Sequence, residues 1–63
     1  MTTITKGNYG ATIHTRNDGE GFDVYFLYNM KSEPHGDVWE RKTFKRESTA
    51  QKKIEAYFAS QGV

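Results

Sequence analysis

The sequence predicts an α+β fold: a three-stranded antiparallel β-meander followed by one C-terminal α-helix packed on one face, in the order β-β-β-α. Three observations carry this expectation. Apolar and polar residues alternate in "NYGATIHTR" and again in "FDVYFLYNM", the pattern of strands with unequal faces. The run "NDGEG" between them is turn chemistry, since Asn, Asp and Gly tolerate positive φ. At the other end, Ala50, Ile54, Tyr57, Phe58 and Gln61 recur at helical spacing.

Residues 1–7 are small and polar and read as a loose end, with Ile4 tacked to the sheet. In the first strand Tyr9, Ala11 and Ile13 share one side and Thr12, His14 and Arg16 the other. Residues 17–21 form the turn. The second strand is rich in aromatic and β-branched residues and reads as central. Phe22, Val24, Phe26, Tyr28 and Met30 share its inner face, while Tyr25 and Leu27 make the other face partly apolar too. The loop "KSEPHG" carries the single proline. The third strand, "DVWERKTFK", has two registers. Turning Phe44 inward, toward the helix that follows, puts Trp39, Arg41, Thr43 and Lys45 outward unless a bulge intervenes. Ser48 with Gln51 three residues later matches a capping box, so the helix is expected to begin near Thr49. Gly62 is its natural stop.

The 63 residues fit a single domain, 1–63, with a modest core. There is no cysteine, so neither disulfides nor thiolate metal sites are expected. No apolar run approaches the roughly 20 residues of a membrane span, and "MTTITKGNYG" lacks a signal-peptide core. A cytoplasmic protein without membrane partners is expected.

Catalysis finds little support. His14 and His35 are the only histidines, and neither has a nucleophile beside it. In "EPHGD", Glu33, His35 and Asp37 are close enough to hold a divalent metal weakly or to exchange a proton, but such clusters arise freely in solvated loops. The glycines make no phosphate-cradling motif. The expectation is a protein that is not an enzyme and has no cofactor and no metal.

One helix covers only one side of such a sheet. The open side is then expected to present Thr12, His14, Arg16, Tyr25, Leu27, Trp39, Arg41, Thr43 and Lys45. Exposed Trp, Tyr and Arg are the types enriched at interaction hot spots. Arg16, Tyr25, Leu27, Trp39, Arg41 and Lys45 are therefore the expected partner-binding residues. The ligand they imply is open between classes. Tyr25, Leu27 and Trp39 suit a protein surface, with Arg16 and Arg41 fixing orientation. The same cations can meet phosphates while Trp39 or Tyr25 stacks on a base. Nine Lys and Arg against eight Asp and Glu leave a net charge of only +1, a weak attraction for a polyanion. A second copy of the chain is a further partner that would cover the rings.

"FDVYFLY" followed by "WERKTFKRESTAQKKIEAYF" resembles the N-terminal arm-binding domain of phage-type tyrosine integrases, over residues 22–60. The resemblance implies three strands and a helix, with Phe44 as the strand-end Phe, Ser48 as the cap, Ala50, Tyr57 and Phe58 in the helix core, and Trp39 and Arg41 on a DNA-facing sheet. The chain departs from that family in carrying no catalytic domain, so a stand-alone module is expected rather than an integrase. In size and layout the sequence also resembles small phage-encoded inhibitors, among them anti-CRISPR proteins, which dock on a larger protein or nucleoprotein and block it. The expectation drawn is a small binding protein of that inhibitor type acting through its open sheet face, with a DNA-binding module using the same face as the alternative.

Overall fold

A computed structural model of the chain describes residues 2–32 and 36–63. The α+β class, the antiparallel sheet and the C-terminal helix are as expected, but among the described residues the sheet has four strands rather than three. They are β1 (Thr2–Lys6), β2 (Tyr9–Thr15), β3 (Phe22–Tyr28) and β4 (Asp37–Phe44), in the spatial order β1-β2-β3-β4, followed by α1 (Glu47–Ser60).

The extra strand is the segment expected to be loose. "TTITK" is β-branched at four of five positions, which favours extended backbone. Gly7 at φ 57° opens a two-residue hairpin turn that pairs Lys6 with Tyr9 and Ile4 with Ala11. Asn8 then anchors this turn to the far end of β3. Its carbonyl accepts the Met30 N–H at 3.1 Å, and its side-chain Oδ1 accepts the Lys31 N–H at 3.0 Å. Ile4 packs against the core, as expected of the one apolar residue in the strand.

Between β2 and β3, Arg16 and Gly21 close the turn through a backbone hydrogen bond of 3.0 Å. Gly21 is required there. Its φ is 143°, and a Cβ would stand 2.4 Å from the Phe44 carbonyl oxygen, so only glycine lets β4 end against this turn.

The core lies between the sheet and α1. Ala11, Ile13, Val24 and Phe26 meet Ala50, Ile54 and Phe58, with Ile4, Tyr9, Phe22, Phe44 and Tyr57 packed around them. Ala50, Ile54 and Phe58 follow one another at four-residue spacing and so form a single stripe along the helix. Phe44 turns inward as expected.

Two local expectations fail. Ser48 is not the helix cap: the helix begins at Glu47, the capping position is Arg46, and no side chain closes it. Gln51 instead donates to the Glu47 carboxylate at 3.1 Å within the helix. The reason is that β4 ends at Phe44 and only two residues separate it from the helix, so the chain turns before Ser48 is reached. The C-terminal stop is as expected. Gly62, at φ 78°, donates to the Ala59 carbonyl, and the Val63 N–H reaches back to Phe58, the hydrogen-bond pair of a Schellman motif.

The second failure concerns Trp39. The β3–β4 register runs Phe22↔Phe44 to Phe26↔Glu40 and then jumps to Leu27↔Val38. Trp39 is the residue left over, a β-bulge that carries its indole off the open face and onto the helix side, where it meets Tyr57.

Candidate binding surface at the β4 edge

Tyr57 organises the aromatic cluster at this edge. Its ring centroid lies 5.0 Å from Phe26, 5.4 Å from Trp39, 5.7 Å from Phe58 and 6.2 Å from Tyr9. The Trp39 and Tyr9 contacts are edge-to-face, the arrangement that ring quadrupoles favour. The Tyr57 hydroxyl donates to the Leu27 carbonyl at 2.7 Å, where the bulge interrupts the ladder, so the irregularity does not strand that acceptor. Burial, with a smaller push from Tyr9, holds the phenol above its ordinary titration range.

Trp39 is braced on one edge by this cluster, yet 56% of it is exposed. Val38 is exposed to the same extent, and Tyr28 is 39% exposed. Two hollows flank the indole. One, of about 230 Å³, lies between β4 and α1, with Phe26, Ala56 and Tyr57 among its lining and Glu40, Lys42 and Lys53 around it. The other, more open, is formed with Tyr9, Tyr28 and Val38. The result is an apolar surface at a sheet edge whose outer side pairs with no other strand among the described residues.

The residues expected to share one binding face are divided. Tyr25 and Arg41 do lie together on the open face, as cross-strand partners. Leu27 is on that face but only 7% exposed. Its cross-strand neighbours are Gly10 and Val38, and Met30 packs so close over Gly10 that a Cβ there would lie 3.2 Å from its sulfur. Arg16 is engaged by carboxylates. It grips Asp18 with Nε at 3.2 Å and Nη2 at 3.1 Å, and its Nη1 reaches Asp23 at 3.4 Å. That guanidinium, helped by the Glu20 N–H, holds the Asp18 carboxyl below the usual carboxylate range. Lys45 is exposed just beyond the end of β4. Trp39 is on the other side of the sheet altogether.

The remainder of the open face is largely hydroxyl-bearing. Thr3 and Thr12 share a hydrogen bond of 3.1 Å, and Thr43 donates to Asp23 at 2.7 Å. His14 stands across from Asp23, within a polar hollow also lined by Arg16, Asp18 and Arg41. Asp23 is already occupied by Thr43 and Arg16. In "EPHGD", Glu33 and His35 fall outside the described residues, while Asp37 accepts a hydrogen bond from Asn29 at 3.1 Å. Among the described residues no group of three or more His, Asp and Glu side chains is placed to hold a metal ion, and no helix is long and apolar enough to cross a membrane.

Tyr9, Tyr28, Val38, Lys53 and Tyr57 are the members of this surface missed in reading the sequence. A signal for the bulge was present. Trp39 and Phe44 are five positions apart, so a regular strand cannot turn both rings to one side, and each ring needs cover. Comparison with protein-family models, curated proteins and solved structures finds no match.

Proposed function

We propose that this chain is a small binding protein that docks on a larger protein through the Trp39 surface at the β4 edge, and blocks or modulates that partner by occupancy. The observation that carries this reading is the indole: 56% exposed, yet braced against Tyr57 and set between two hollows. A ring held in place at its base loses little conformational freedom when its free face is buried, which is what makes Trp and Tyr effective anchors. A standard interface needs about 800 Å² per partner, roughly a fifth of the 4414 Å² that this chain exposes. Occupancy by itself performs the function, in the manner of the small phage-encoded inhibitors the sequence resembles.

The open face is the weaker contact surface for DNA or protein. Its Leu27 is buried, its Arg16 is neutralised, and Asp18 and Asp23 set carboxylates in the same hollow as Arg41, where they repel phosphate. The test is recovery of the partner by pull-down from the native host, followed by affinity measurement with Trp39→Ala. The variant is expected to lose at least about ten-fold in affinity while keeping the fold, since the residue lies outside the core. The share of affinity held by the Trp39 contact is expected to survive at high salt, whereas a nucleic-acid contact would be lost steeply through counterion release. Unchanged binding by Trp39→Ala would remove this surface from consideration.

A further inference from the structure

We infer that the partner presents an extended acidic segment, which adds as a fifth strand along the free edge of β4. The inference rests on the reading of the Trp39 surface as the docking site and names the chemistry of what binds there.

Three features of the edge converge. First, β4 is the last strand of the sheet and is exposed from Asp37 through Thr43. Alternate residues of an edge strand turn their N–H and C=O outward, and another strand satisfies them in register. Past the bulge, Glu40 to Phe44 pair regularly with β3, so this stretch has the extended geometry that a fifth strand can follow.

Second, the edge turns basic past the bulge. β4 itself balances Asp37 and Glu40 against Arg41 and Lys42, but the chain from Arg41 to Lys53 holds six of the nine Lys and Arg and a single acid, Glu47. Arg41 stands on the open side of β4 and Lys45 is exposed just past its end, while Lys42 and Lys53 border the hollow on the helix side. Glu40 is engaged with Lys42 at 3.2 Å, and Lys53 makes no ion pair among the described residues. Carboxylates on an added strand would therefore meet cations on either face.

Third, the hollow of about 230 Å³ beside Trp39 lies on the side to which alternate side chains of that strand would point. Its ring-lined interior suits one large apolar side chain from the added strand.

A second copy is the competing occupant, because antiparallel β4–β4 pairing can set Glu40 of one copy against Arg41 of the other. The free chain is expected to sediment as a monomer, and a dimer with slowed amide exchange along β4 would overturn the inference. Nucleic acid would leave the outward backbone groups of β4 without a strand to pair with.

The experiment is selection from a displayed library of random peptides, about a dozen residues long, against the full chain. A single-stranded thymidine oligonucleotide is measured in parallel. Enriched peptides are expected to carry Asp or Glu at alternate positions and one large apolar residue, and to slow amide exchange along β4. The charge reversals Arg41→Glu with Lys45→Glu, and separately Lys53→Glu on the helix, are expected to weaken them by roughly ten-fold, as lost and inverted cross-strand pairs require. Absence of enrichment, basic or uncharged winners, unchanged exchange along β4, or tighter binding of the oligonucleotide would each overturn the inference. Binding that falls with Trp39→Ala but ignores the charge reversals would refute the acidic strand and keep the docking surface. Binding that ignores both would refute the two together.

Discussion

The Tyr57 hydroxyl donates to the Leu27 carbonyl where the β3–β4 register shifts, and its ring meets Tyr9, Phe26, Trp39 and Phe58. The helical spacing of the sequence places Tyr57 on the inner side of α1. It does not reveal the hydrogen bond, because the acceptor is a backbone atom exposed only by a bulge thirty residues away. Tyr57→Phe keeps the ring contacts and removes that bond. It is expected to cost about 1–3 kcal/mol, measured by urea melts, since a partly buried carbonyl is left unpaired. The same residue sets an alkaline limit. Its phenol titrates above the ordinary value of 10.0, so the folded state holds a proton that the unfolded chain has lost. That part of the stability is whole below about pH 10 and declines as pH rises through the folded value. Thermal melts from neutral pH upward are expected to fall more steeply for the wild type than for Tyr57→Phe. For Trp39, the alternation of the strand could assign a face only on the assumption of regular pairing, and the bulge breaks that assumption.

Among the elements, β2, β3 and α1 were plain from periodicity, because each must bury one face and spells that face out. β1 was not. It buries a single apolar side chain, Ile4, and so carries almost no alternation. The readable cue was the Gly-Asn pair between "TTITK" and "YGATIHT", a two-residue hairpin signal. The start of α1 was misread for a different reason. Ser48 and Gln51 have the spacing of a capping box, but such spacing recurs inside helices, and here the short β4–α1 connection brings the helix in at Glu47. Ser48→Ala is therefore expected to change stability by less than about 0.5 kcal/mol, where loss of a true cap would cost about 1 kcal/mol. Thermal or urea melts separate the two. A larger loss would restore Ser48 as the cap.

The molecule as a unit has little stability to spare. At about 0.05–0.15 kcal/mol per residue, a chain of 63 residues has roughly 3–9 kcal/mol in total. Among the described residues Ile54 and Val24 are the largest fully buried side chains, and Ile54 sits mid-stripe on α1. Ile54→Ala is expected to cost about 2–5 kcal/mol, a large share of that total, and so to lower the melting temperature sharply. Circular dichroism and tryptophan fluorescence would both register it, and an unchanged melting temperature would show the core to be far less dependent on α1 than its packing implies. Charge is also organised at this level. Asp18, Glu20 and Asp23 cluster around the β2–β3 turn, while six of the nine cations lie from Arg41 to Lys53, so a net charge of +1 conceals an uneven distribution.

The fold class, the helix stripe, the inward turn of Phe44 and the exclusion of disulfide chemistry followed from the order of residues, because periodicity and composition act locally and survive translation into any compact arrangement. Which rings share a surface did not follow. That depended on a one-residue bulge, on Met30 filling the space above Gly10, and on the carboxylates of Asp18 and Asp23 reaching Arg16. Each of these joins backbone segments far closer in space than their alternation alone can specify, and a shift of a single position in register exchanges the two faces of a strand.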